Sequence, residues 1–133
     1  MAKDIEEAGL RPDVIKTDTE LELRRARIRI LDTDDDFTST PGSPWLLVSV
    51  EGVSQKGVYG YYISVSLTQD VLLARDPTLR PAGKYQGITF SAQTWNTDVS
   101  GVQIGNPTAT IRSSVKDLVD QFINAYLAAN KKL

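Results

Sequence analysis

Residues 110–132 read TIRSSVKDLVDQFINAYLAANKK, and the spacing of their apolar side chains decides what the rest of the chain must supply. Ile111, Val115, Leu118, Phe122, Ala125, Tyr126 and Ala129 recur at steps of three and four, which stacks them on one stripe of an α-helix. Val119 widens the stripe, while Ser113, Asp117, Asp120, Gln121 and Asn124 take the opposite side. Pro107, Thr108 and Thr110 offer a helix start with an N-cap hydroxyl, and Lys131 and Lys132 put positive charge where the helix dipole favours it. Such a helix needs an apolar surface to lie on.

Three upstream segments offer one. Residues 45–53 put Leu46, Val48 and Val50 on one face and Leu47, Ser49 and Glu51 on the other. Residues 58–73 alternate Tyr59, Tyr61, Ile63, Val65 and Leu67 with Tyr62, Ser64, Ser66 and Thr68. Residues 85–95 alternate Ile88, Phe90 and Ala92 with Thr89, Ser91 and Gln93. A period of two marks each as a half-buried strand. With residues 54–57 as a four-residue hairpin loop, Val53 faces Val58, Val50 faces Tyr61, Val48 faces Ile63 and Leu46 faces Val65. With 74–84 as the second loop, Leu67 faces Phe90 and Tyr62 faces Trp95. Both registers align the apolar faces, and a slip of one residue would bury the serines.

Upstream, Pro12 suits a first helical turn, and Val14, Leu21 and the stem of Arg25 share a face, while Leu21 and Leu23 also alternate as in a strand; the helix to about Ala26 is the favoured reading of the two. Ile28 and Ile30 alternate with Arg27 and Arg29, which reads as a short fourth strand. Residues 32–44, DTDDDFTSTPGSP, are a loop by composition, and 96–107 are a connection in which Val102 and Ile104 extend the sheet. Residues 1–9 are expected to lie outside the ordered part. The expected fold is one α+β domain spanning 1–133: a two-layer sandwich of about four antiparallel strands with two helices packed on one face. Phe122, at the centre of the stripe, is expected against Val48, Val65 and Phe90.

Bulk composition narrows the function. A chain of 133 residues, 41% hydrophobic and 24% charged, is of one-domain size and globular type. No apolar run approaches the ~20 residues of a spanning helix. A net charge of −2 provides no field for a phosphate backbone, which argues against nucleic acid as a partner. There is no histidine and no cysteine, so a Ser-His-Asp triad, a histidine-ligated zinc, disulfides and thiolate chemistry are excluded within the chain. The opening Met-Ala-Lys-Asp lacks an apolar segment of signal-peptide type, which leaves a cytoplasmic or an export-trimmed chain.

Three strings carry a resemblance. Leu23-Arg24-Arg25-Ala26-Arg27-Ile28 resembles the Leu-Arg-x-Ala-Gly-Ile helix-to-strand junction of a group of uncharacterised bacterial proteins read as exported. The strings 92–95, AQTW, and 122–130, FINAYLAAN, are similar to that group's strand end and C-terminal helix. The architecture is similar to small α+β envelope domains such as the N-terminal domain of TolB and the periplasmic part of the curli secretion lipoprotein. The resemblance implies a periplasmic or exported, non-enzymatic bacterial domain. Arg27 departs from it, standing where the pattern has the glycine that ends the helix.

Candidate sites are few. Asp32, Asp34 and Asp36 have the spacing of three calcium-loop ligands, but Phe37 replaces the loop glycine and Ser43 the bidentate glutamate, so the run reads as a solvated acidic loop. Gly101 and Gly105 fit no phosphate-loop pattern, and Glu51 and Asp70 fit no catalytic constellation. No cofactor or metal is expected. The polar sheet face is the candidate partner surface: Tyr62 and Trp95 as an aromatic pair, with Ser49, Ser64, Ser66, Ser91 and Gln93 around them. Strand addition by a protein partner or a second copy, at the uncharged strand 85–95, is one use of it, and stacking on a sugar or other small molecule is another.

Overall fold

The structure, a computed structural model, describes residues 1–78 and 90–131. Among these, the elements run α1 (Lys3–Glu7), α2 (Pro12–Arg25), α3 (Asp34–Ser39), β1 (Trp45–Gln55), β2 (Val58–Val71), β3 (Phe90–Ile104) and α4 (Thr108–Ala129). The fold is α+β, with one antiparallel sheet in the order β1-β2-β3. Among the described residues three strands stand where about four were expected: Ile28 and Ile30 are half-buried but belong to no strand. Contacts gather into two compact units, Met1–Ile30, Val48–Val65 and Asn96–Leu133 in the first, Leu31–Leu47 and Ser66–Trp95 in the second.

In the first unit α4 covers β3. Thr97 Oγ1 donates to Gln121 Oε1 (2.7 Å), and Thr110 Oγ1 donates to Gln103 Oε1 (3.3 Å). Those two bonds put the odd-numbered residues of β3 on the helix side. Ile111, Val115, Leu118, Val119, Phe122 and Ile123 are buried along α4. Ile123, outside the expected stripe, is buried because α4 also packs on α2, which widens its apolar arc. Tyr126 and Ala129, expected in the stripe, are exposed in the last turns. The helix start also differs from expectation: Asn106 Oδ1, not a threonine hydroxyl, accepts from the Thr108 N–H at 2.9 Å.

α2 spans the expected residues but buries a different face: Ile15, Thr19 and Leu23 are buried, whereas Leu21 and Arg25, expected to share the packed face with Val14, are exposed. The end of α2 explains the odd arginine. The Ile28 N–H donates to the Leu23 carbonyl and the Arg27 N–H to the Arg24 carbonyl, both at 3.0 Å, the paired bonds of a Schellman stop. Arg27 holds the left-handed position with φ 61°, at the steric cost any side chain meets there. Arg27→Gly is therefore expected to stabilise the chain by about 1 kcal/mol, after allowing for glycine's extra unfolded-state entropy. Urea melts check this, and a loss of stability would mean that the arginine side chain contributes more than its backbone costs.

Residues 1–9, read from sequence as outside the ordered part, carry α1. Ile5 is 0% exposed and lies over Gly52, where an added Cβ would sit 2.6 Å from its Cδ1. The Ala2 N–H donates to the Val50 carbonyl (3.2 Å), and Asp4 Oδ2 accepts from the Ser54 N–H (2.6 Å) and hydroxyl (3.1 Å). The Asn106 side-chain amide donates to the Ala8 carbonyl at 2.8 Å, tying the end of α1 to the start of α4.

Both hairpin registers differ from expectation. Lys56 (φ 51°) and Gly57 (φ 78°) form a two-residue turn with both φ positive, the geometry that matches strand twist. Ser54 and Gln55 thus belong to β1 rather than to a four-residue loop. Val53 lies opposite Gly60, whose added Cβ would be 3.8 Å from Val53 Cγ2, and Val50 opposite Ile63. The shift is even, so the apolar faces still coincide, and Val50, Ile63 and Val65 are buried.

β3 departs further: Val102 and Ile104 extend the sheet as expected, but all of 96–104 belongs to the strand, leaving only Gly105 to Pro107 as the connection to α4. The Gly105 N–H donates to the Gly57 carbonyl (2.9 Å), and the ring of Tyr61 fills the space where Gly101 would carry a Cβ. Tyr61 is therefore opposite Gly101, and Ser100, not Trp95, is opposite Tyr62. Gly101 is no breaker; it makes room for a cross-strand aromatic ring. The end of the expected loop, 79–84, and the first residues of the expected strand, 85–89, lie outside the described residues.

In the second unit, Phe90 and Ala92 are half-buried, Gln93 and Thr94 are both exposed, and alternation resumes one residue out of phase at Trp95. A bulge produces such a slip. Thr94 Oγ1 donates to Gln69 Oε1 at 2.8 Å. The acidic run is not all loop: Asp34, Asp35 and Asp36 open α3, whose N-cap Thr33 accepts from the Asp36 N–H at 3.0 Å. Negative charge in a first helical turn is favoured by the dipole, which gives the run a local structural reason.

Candidate interaction surface

The first unit's sheet turns one face to α4 and leaves the other open. Its register sets rows across β1, β2 and β3: Ser49, Ser64 and Asp98; Glu51, Tyr62 and Ser100; Val53, Gly60 and Val102; Gln55, Val58 and Ile104. Gly60 makes a shallow depression between Val53 (71% exposed) and Val102 (73%), rimmed by Glu51, Tyr62 and Ser100. Ile104, at the strand end, is 83% exposed. The candidate surface on this face is thus more apolar than its sequence suggested.

The residues expected to form one site are divided. Tyr62, Ser49 and Ser64 belong to the first unit; Trp95, Ser66, Ser91 and Gln93 belong to the second. Glu51 and Asp70 are divided in the same way. Asp98 and Ser100 were not singled out in advance, and Val102 and Ile104 were expected to extend the sheet but were not placed in the site. Val102 and Ile104, two apart and followed by Gly105, were the available signal.

Tyr62 is engaged across the strands, its hydroxyl donating to Asp98 Oδ2 at 2.9 Å. That bond, then desolvation and the carboxylate's charge, raise the phenol's pKa above the ordinary 10.0. A raised folded-state value favours the neutral phenol. Its stabilising contribution is complete below the unfolded pKa and is lost as pH rises through the folded one. Alkaline titration of tyrosinate absorbance should therefore show a component above the usual range, and Asp98→Asn should move it down. A titration unchanged by that substitution would contradict the bond.

The backbone of the sheet has two different edges. A two-residue hairpin makes Gln55 and Val58 a hydrogen-bonded pair, so even residues of β2 bond to β1 and odd ones to β3. The N–H and C=O groups of Thr97, Val99, Gly101 and Gln103 then point to β2, and those of Asp98, Ser100, Val102 and Ile104 point outward. On β1 the outward groups of Val50 and Ser54 are met by Ala2 and Asp4. β3 has no strand beyond it among the described residues. Among the described residues, the one bond to these outward groups goes to the Ile104 carbonyl, from the neighbouring Gln103 side chain at 3.3 Å.

A second depression lies between α2 and α4, lined by Asp18, Glu22, Arg25, Arg112 and Lys116 with Thr19 at its floor. Arg112 grips Asp18 through two bonds (2.8 and 3.0 Å) and so ties α4 to α2, while Arg25 pairs with Glu22 within α2 and Lys116 with Asp120 within α4. The Thr19 hydroxyl is buried with no hydrogen-bond partner. Among the described residues, no group of three or more Asp and Glu is placed to hold a metal ion, and no helix is long and apolar enough to cross a membrane.

No protein-family model, no curated protein and no solved structure matches the chain.

Proposed function

We propose that this chain is a non-catalytic interaction module of the bacterial cell envelope that receives an extended segment of a protein partner along the outer edge of β3. One observation carries the reading: the chain covers the β1 edge with its own N-terminal residues and leaves the outward amides of Asp98 to Ile104 beside two of its most exposed aliphatic side chains. Natural sheets blunt an edge with charge, proline, a bulge or a covering segment, and between residues 96 and 104 only Asp98 does so. An added strand would gain main-chain bonds from the edge and specificity from alternate side chains, with the helices serving as the backing layer. The envelope setting rests on the resemblance at residues 23–28, 92–95 and 122–130. Recovery of the full reading frame's product in the periplasm would agree with it, and recovery in the cytoplasm would not.

Selection from a random peptide display tests strand addition without a known partner. Selected peptides should have extended, alternating sequences and lose binding to Val102→Pro, which deletes an outward N–H and leaves the ladder to β2 intact. Peptides that bind the variant equally well would place the surface elsewhere. The small-molecule reading needs Tyr62 and Trp95 together; Tyr62 is committed to Asp98 in the first unit and Trp95 belongs to the second, so no observation favours it.

A further inference from the structure

The strands carry charge of one sign only. β1, β2 and β3 together contain Glu51, Asp70 and Asp98 and not one lysine or arginine. In the first unit Asp98 stands on the open edge, and Glu51 lies in the same row as Tyr62 and Ser100. Among the described residues, the basic side chains are carried by helices, turns and loops instead.

We infer that the segment received at β3 is basic: it carries an arginine or lysine opposite Ser100, with aliphatic residues on the same face opposite Val102 and Ile104. The inference rests on the strand-addition reading and gives it a partner chemistry. An added strand lies about 5 Å outside β3, and its same-face residues fall every second position. A side chain opposite Ser100 meets the smallest side chain of the edge row, so its stem can pass over the serine toward the Tyr62 ring. From there a cationic head lies diagonal to Asp98, whose Oδ1 is not used by the tyrosine bond. The half-exposed ring supplies a cation–π face, and the carboxylate supplies the charge partner. Val102 and Ile104, 73% and 83% exposed, take the aliphatic residues.

Charge also decides against a second copy as the occupant. A symmetry-related β3 would bring no basic side chain at any register, only another Asp98. Apolar pairing alone would not distinguish a copy from a partner, but the acidic edge does, because like charges on adjacent strands repel.

The test uses the full chain and two blocked peptides, Val-Thr-Val-Thr-Arg-Thr-Thr and the same sequence with glutamine for arginine, followed by amide shifts in NMR titrations. The arginine peptide should bind roughly two- to fivefold more tightly, the size of one cross-strand charge pair. Asp98→Asn, which retains an acceptor for Tyr62, should erase that difference, and Val102→Pro should remove binding of both peptides. Equal binding of the two peptides, still lost in Val102→Pro, would overturn the basic-segment inference and leave strand addition standing. If neither peptide moves the amides of residues 98–104 at millimolar concentration, strand addition itself is contradicted. Concentration-dependent shifts of those amides without peptide would make a second copy the occupant and overturn the inference.

Discussion

Phe122→Ala is expected to destabilise the chain by about 3–5 kcal/mol. Phe122 is 6% exposed, in the run of buried α4 positions that includes Leu118, Val119 and Ile123. Its ring meets Tyr126 at a centroid distance of 6.0 Å with the planes tilted by 41°. Truncation to alanine removes a large apolar group from a buried position of the helix and leaves its volume unfilled. The cost therefore combines lost transfer energy with the unfilled volume. Denaturant melts with an unchanged m-value measure it, and a loss below about 1 kcal/mol would show that α4 buries a different face.

Ile5→Ala is the second large effect, about 2–5 kcal/mol, from a helix of only five residues. Helices this short do not form on their own in water. α1 is held by Ile5 over Gly52, by the Ala2 and Asp4 bonds to β1, and by Asn106 at its C-terminal end. Loss of the Ile5 side chain removes the apolar anchor of that set. The substitution should therefore also speed exchange of the Ser54 amide, whose acceptor is Asp4. Unchanged stability together with a protected Ser54 amide would mean that the polar bonds alone keep α1 in place.

The helix α4 was legible because its apolar residues keep a helical period over many turns, whereas α2 was legible in its span from Pro12 but not in its face, because Leu21 is exposed and the buried row of Ile15, Thr19 and Leu23 includes a polar residue. α1 was not, because KDIEE carries one apolar residue and its order comes from the strand it covers. The same limit hid α3, whose acidic first turn reads as loop until Thr33 is seen to cap it. The alternation of the first two strands was readable, but the β1–β2 register needed the turn type, which two positive φ values at Lys56 and Gly57 determine. β3 was the hardest segment. Polar, small and aliphatic residues fall on both parities along 96–104, so neither parity stands out as buried, and a glycine-containing strand without a clear apolar face specifies its register weakly. The pairing of Tyr61 with Gly101 supplies what the pattern lacks. The candidate surface moved with that register, from Tyr62 and Trp95 to Tyr62, Asp98, Ser100, Val102 and Ile104.

Hydrogen exchange along β3 in the dilute protein tests the open edge most directly. The account predicts a strict alternation: slow exchange at the amides of Val99, Gly101 and Gln103, which point to β2, and fast exchange at Asp98, Ser100, Val102 and Ile104, which point outward. Uniform, concentration-independent protection from residue 97 to 104 would show that the edge is already paired on both sides, and would contradict the account.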